Sequence, residues 1–250
     1  MGRVTALLLQ AAACACMGGA QADTGAPVSR VYTLTVSPAE HESFEDGVKA
    51  YVQCLQQHGS PHAHSTWLHE SGSRWIYTFV TDQRSWAGFD GGSQAGIACS
   101  PGFVTQALDH AQDLQRSFLE MLPEFSHGTG AVFGSPMLEV DSFVVADPQG
   151  FLEVMRALHA AAERSHAGDY LWLKVTDGGR GSADYLLLVP YRDWEDFGRR
   201  PEVLWHAAES VYGGHRADSL RKAQRRALRE SWSDMQSRDD ELSYTPPAGG

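Results

Sequence analysis

Residues 30–36 alternate between apolar and polar side chains, the period of a half-buried strand. The period then changes. Phe44, Val48, Tyr51, Val52 and Leu55 recur at helical spacing, and Gly59 closes the predicted helix. Ser37, Pro38 and Glu40 ahead of it supply a cap, a proline for the first turn and a capping-box glutamate. Strands are predicted over 62–70 and 74–81, joined by a turn at Ser71, Gly72 and Ser73. Trp86 and Phe89 begin a further helical region, and 88–102 reads as a glycine-rich loop. Phe103, Ala107, Leu108, Ala111, Leu114, Phe118 and Met121 then form a stripe that predicts a long amphipathic helix.

The same order follows a second time. A strand is predicted over 138–145, and Asp147 and Pro148 repeat the cap-plus-proline start. Phe151, Val154, Met155, Leu158 and Ala162 give the helical stripe, with strands over 170–176 and 185–189 and helices over 201–212 and 217–235. Residues 77–89 align without a gap on 185–197: Tyr77, Arg84, Trp86 and Phe89 reappear as Tyr185, Arg192, Trp194 and Phe197. Trp67 corresponds to Trp172. An internal repeat sets the architecture. The expected plan is two copies of one β-α-β-β-α unit, over 23–135 and 136–244, each ending in a short strand, with a disordered tail at 245–250.

That wiring resembles a ferredoxin-like unit, an antiparallel sheet with helices on one face. Two such units can cover each other's bare sheet faces. With Trp86/Phe89 and Trp194/Phe197 after the third strand of each copy, residues 30–245 resemble the dimeric α/β-barrel superfamily. The resemblance implies an α+β fold of two tandem ferredoxin-like repeats, forming an intramolecular pseudo-dimeric α/β barrel on one polypeptide. It also implies a cavity between sheet and helices, often used for small or hydrophobic ligands. That superfamily includes cofactor-free monooxygenases, haem-binding enzymes and members with no known chemistry.

The ends add a compartment. Arg3, the apolar run over 4–15 and the small-x-small Ala20-Gln21-Ala22 read as a signal peptide over 1–22. Such a run is shorter than the ~20 residues of a membrane anchor. The mature chain is expected to be soluble and periplasmic or secreted, without a transmembrane anchor. Using Cys14 or Cys16 as an acylated residue lacks the expected run ahead of it. The formal charge of −11 argues against nucleic acid as a partner. Of four cysteines, Cys54 and Cys99 remain after the leader, as a disulfide or as two buried thiols.

Several groups could carry chemistry. His58, His62, His64 and His69 lie close together, and His62, His64 and His69 are candidate metal ligands. The second copy has no such cluster, and an exposed His-rich segment explains it as well. Haem-degrading members of the superfamily depend on a helical His with Asn and Trp partners. The chain contains no Asn, which leaves His110, His159 and His206 as axial-ligand candidates. Gly91, Ser93 and Ala95 match a nucleophile elbow only loosely, and no phosphate-binding glycine loop is present. Arg216, Arg221, Lys222, Arg225, Arg226 and Arg229 form a basic stripe on the last predicted helix.

The leading expectation is a non-catalytic protein that binds a small, partly apolar ligand between sheet and helices, monomeric through its internal pseudo-dimer and without a resident cofactor. Trp67, Tyr77, Trp172 and Tyr185 would touch the ligand, with Arg84 or Arg192 at its polar end. The alternative is a cofactor-independent monooxygenase-like or haem-related enzyme, with His64, His69 or Tyr77 as its activated group. An interaction module using the Arg216–Arg229 stripe is the third reading.

Overall fold

A computed structural model describes residues 26–72, 75–128, 132–199 and 202–247. The leader at 1–22, Cys14 and Cys16, the turn residue Ser73, the first residue of the predicted strand at 74, the start of the helix expected at 201 and the tail from 248 lie outside the described residues.

Eight strands close into one barrel. They are β1 (Val28–Val36), β2 (His64–His69), β3 (Ile76–Thr81), β4 (Ala111–Met121), β5 (Met137–Val145), β6 (Leu171–Asp177), β7 (Tyr185–Tyr191) and β8 (Leu228–Tyr244), in the order β1-β3-β2-β8-β5-β7-β6-β4. Every neighbouring pair is antiparallel. The helices are α1 (His41–Gln57), α2 (Gln94–Gln106), α3 (Pro148–Ser165), α4 (Trp194–Arg199), α5 (Val203–Tyr212) and α6 (Gly214–Ala227). No helix among the described residues is long and apolar enough to cross a membrane.

The two halves are joined by exchanged strands. β4 pairs with β1 along most of its length and with β6 at its end. β8 pairs with β5 through its first part and with β2 through its second. Closure leaves no free sheet edge, which is the usual liability of an open sheet.

Alternation along each strand divides the core into an interior and two outer layers. Val31, Trp67, Leu119, Leu138, Val140, Leu171, Leu173 and Leu188 meet inside the barrel. Outside it, Leu34, Val36, Phe44, Val48, Tyr77 and Phe79 join the first half's sheet to α1. Phe143, Phe151, Val154, Leu158, Trp172, Tyr191 and Leu204 join the second half's sheet to α3 and α5.

Several expected elements differ. The stripes read as helices through 121 and 235 end early: α2 stops at Gln106 and α6 at Ala227, and the residues beyond are β4 and β8. The spacing from Leu114 to Met121 satisfied a helical template by coincidence, and Leu114 is exposed. Regular pairing with β1 and β5 supplies these strands' backbone bonds instead. The stretch 88–102 is largely helical rather than loop, with Ser93 Oγ capping α2 through the Gly96 N–H at 2.9 Å. Ser37 does not cap α1, which begins at His41. Asp147 does cap α3, its carboxylate accepting from the Gly150 N–H at 3.1 Å.

Two contacts lock α1 to α2. Cys54 and Cys99 form a disulfide, with Cα atoms 5.8 Å apart. Gly47 lets the helices touch, because a Cβ there would collide with the Gln106 carbonyl. Gly47→Ala is expected to cost about 2 kcal/mol or more, since a rigid backbone atom must move. Thermal denaturation checks this, and an unchanged midpoint would show that α2 can give way.

Candidate functional site

β5 supplies the site. Its outward residues are Met137, Glu139, Asp141 and Phe143, so two carboxylates stand in the apolar layer under the helices. With Phe143, Leu158, Trp172, Trp205, Trp232, Ser231 and Ser233 they line a cleft of about 410 Å³ between the second half's sheet and α3, α5 and α6. Its walls are aromatic and aliphatic, with polar groups at few points, as in ligand pockets generally.

The electrostatics are unusual. Burial, reinforced by the neighbouring Glu139 charge, pushes the Asp141 carboxyl up to about 6. Burial also raises Glu139, opposed by hydrogen bonds from the Tyr191 hydroxyl at 3.0 Å and the Ser233 hydroxyl at 3.5 Å. The Trp172 side chain is fully buried, and its indole N–H finds no acceptor among the described residues. A buried donor without a partner costs about 1–3 kcal/mol. At the rim, Glu202 adopts a left-handed φ of 56° and accepts from Arg221 at 2.8 Å, which holds its carboxyl below the usual range. Arg221 lies over the Trp205 ring at 4.5 Å.

The first half has no counterpart. Strand register sets Asp141 opposite Leu187 and Tyr32 opposite Phe79, and the aligned repeats make those positions equivalent. Tyr32 thus stands where Asp141 does, and Arg30 where Glu139 does. Phe44, Tyr77, Phe79 and Phe103 fill the corresponding layer.

The six ligand contacts expected from sequence do not converge. Trp67 points into the barrel and Trp172 out of it, because the two strands differ in register by one residue. Tyr77 belongs to the first half's outer layer and donates to Glu45 at 2.8 Å; burial and that carboxylate raise its hydroxyl well above the ordinary value. Tyr185 packs on Phe151 at 5.2 Å. Arg84 pairs with Asp82 and Arg192 with Asp196, and neither lines the cleft. Only Trp172 of the six does.

The histidines are dispersed too. His62 meets Asp82 at 3.3 Å. His64 faces outward to the Leu242 carbonyl at 3.1 Å, and burial lowers its value to about 4. His69 faces inward, so strand alternation separates these expected metal ligands. The basic stripe is broken as well, since Arg229 sits on β8 and Arg221 is held by Glu202 and Glu209. Glu139 and Asp141 were missed because a charged strand pair reads as solvent-facing. The signal was their place on a strand flanked by apolar runs.

No family model matches the chain, and no curated protein matches it. Solved structures do share its fold. An anthrone oxidase-like protein is 13% identical, covering 91% of this chain and 98% of its own, with a TM-score of 0.55. A candidate monooxygenase from Lactobacillus acidophilus is 8% identical, covering 88% and 97%, at 0.53. A chlorite dismutase from Candidatus Nitrospira defluvii is 12% identical, covering 88% and 93%, at 0.52. The chain has the dimeric α/β-barrel fold of these proteins. They overturn the expectation of a non-catalytic binding protein, because the solved structures that share its fold include monooxygenase-like, oxidase-like and dismutase proteins.

The superfamily resemblance implies haem as one cofactor, and the cleft does not suit it. Axial ligands are supplied by His, Cys, Met or Tyr. None of these lines the cleft, where Glu139, Asp141 and, at the rim, Glu202 stand instead. His159 is bound to the Tyr170 hydroxyl at 2.8 Å, His110 to Glu40 at 2.6 Å, and His206 lines a separate hollow beside Ser165 and Arg199.

Asp141 makes a prediction about stability. Its folded value is raised above the ordinary 3.8, so between that pH and about 6 only the unfolded chain ionises. Wild-type stability should fall across this window and level off above it. Asp141→Asn should match wild type near pH 4 and exceed it at pH 7.5 by on the order of 2 kcal/mol. Urea denaturation at both pH values measures this, and a variant weaker than wild type at pH 7.5 would refute it.

Proposed function

We propose that the protein is a cofactor-independent oxygenase of the dimeric α/β-barrel type, acting on an aromatic ketone with an acidic methylene. One observation carries this: a carboxylate poised by burial stands in an aromatic-walled cleft that the Trp172 ring also lines. A general base works best when its pKa lies near the working pH, and Asp141 meets that condition. The anthrone oxidase-like neighbour lends the substrate class.

In this reading Asp141 takes a proton from the methylene carbon. The resulting enolate oxygen accepts from Trp172 Nε1–H, and preorganised donors aimed at developing charge are usually the largest catalytic contribution. The enolate is electron-rich enough to reduce dioxygen, which forms the new C–O bond. Overall a CH₂ group and O₂ become a C=O group and water. Glu139, held by Tyr191 and Ser233, keeps Asp141 basic through its charge.

The reading takes 23–135 and 136–244 as tandem ferredoxin-like repeats forming an internal pseudo-dimer, with the chemistry kept in the second. The leader at 1–22 would direct export to the periplasm or medium. The Cys54–Cys99 bond suits an oxidising compartment.

Dioxygen uptake with anthrone as probe tests the reaction. The rate should climb with pH and level off above about 6, tracking Asp141 ionisation. Asp141→Asn should lower kcat/KM about a hundredfold, and Trp172→Phe should lower kcat about tenfold with the fold intact. A rate indifferent to Asp141→Asn would remove the base and the proposal with it.

A further inference from the structure

The barrel interior holds chemistry that the cleft does not use. β3, β2 and β8 are consecutive in the barrel, and each turns one polar side chain inward near the same level. Register pairs Trp67 with Thr78 and His69 with Gln236, so Thr78 and Asp234 lie on the two diagonals of His69. Diagonal neighbours are within reach of long side chains. Here both are reached: His69 Nε2 lies 2.9 Å from Thr78 Oγ1, and His69 Nδ1 lies 3.1 Å from Asp234 Oδ2. The side chains of His69 and Asp234 are 10% and 19% exposed, so the pair is shielded but not sealed. The three line a chamber of about 250 Å³, walled elsewhere by groups such as Trp67, Leu138 and Ser142.

In the tautomer that carries its hydrogen on Nδ1, the ring donates to Asp234 and its Nε2 accepts from the Thr78 hydroxyl. Thr33 Oγ1 lies 3.4 Å from Thr78 Oγ1 and can donate to it in turn. A hydroxyl bonded to a base that a third group orients is the structural signature of an activated nucleophile.

We propose that this chamber is an acyl-transfer site, separate from the β5 cleft, that takes small uncharged carboxylic esters. Thr78 is the nucleophile, His69 the general base and then acid, and Asp234 the positioning residue. Thr78 Oγ1 bonds to the acyl carbon as its proton passes to His69 Nε2. The bond from that carbon to the leaving oxygen breaks, and the departing alkoxide takes the proton from His69. Water repeats the sequence on the acyl-threonine, releasing the acid and restoring Thr78. Nothing is oxidised or reduced. The small volume limits the acyl chain, and the Asp234 charge disfavours anionic substrates.

The test uses the intact protein and p-nitrophenyl acetate. Rapid quenching followed by peptide mapping should find an acetyl group on Thr78, with p-nitrophenol released in a burst. Thr78→Val should abolish label and burst, while Thr78→Ser should retain both. His69→Gln should slow acylation about a hundredfold. Asp234→Asn should slow it and displace the pH profile, which a merely structural carboxylate would not do. Wild-type protein that hydrolyses the ester without label on Thr78, or that carries label only elsewhere, overturns the proposal whatever the variants do. Dioxygen uptake plays no part in this readout, so its outcome is independent of the cleft's.

Discussion

The pairing of β8 with both β2 and β5 is the interaction on which the molecule rests. It joins the halves, closes the barrel on one side, and sets the register of His69, Asp234, Glu139 and Asp141. Odd-numbered residues of β8 such as Ser231 and Ser233 reach the outer cleft, while Asp234 reaches the inner chamber. A slip of one residue would turn Ser231 and Ser233 inward and Asp234 outward. β4 makes the reciprocal closure with β1 and β6.

The two parts of the barrel differ in what they bury. Each half offers the same kind of space between its sheet and its helices. In the first half that space is filled by aromatic packing around Phe44 and Tyr77 and tightened by the Cys54–Cys99 bridge. In the second, the same layer gives up some packing to Glu139 and Asp141. An ionised carboxylate under helices weakens the fold, and sites that depart from local rules for core residues are where function is expected. The chamber is a different case, because it belongs to neither half. Its three groups come from β2, β3 and β8, so it exists only once the halves have met.

Much of the architecture was legible because its signals are local. The alignment of 77–89 on 185–197 and the helical stripe beginning at Phe151 each needed only one stretch of chain. The long strands β4 and β8 were not legible, because their pairing partners are remote and each opens on a run of exposed side chains. The pairing of Trp67 with Trp172 misled for a related reason. Alignment preserves position in sequence, whereas one residue of register decides which side of a sheet a side chain occupies. The carboxylate pair and the His69 relay were hidden because burial of a charge is a property of the assembled layers. His69 itself stood among the sequence candidates, yet its partners Thr78 and Asp234 are named only by three-strand register.

Strand exchange also has a consequence for the order of events on the ribosome. When the first 125 or so residues have emerged, β2 has no neighbour on its outer side and β4 has only β1. The β4 edge stays open until β6 has been made, and the β2 edge until β8, the last strand among the described residues, has been made. Domains usually complete themselves one after another during synthesis. This chain cannot, so its nascent form carries unpaired strand edges for nearly the whole time of translation. The exposed, polar start of β4 therefore guards an edge in the waiting intermediate as well as a seam in the finished barrel.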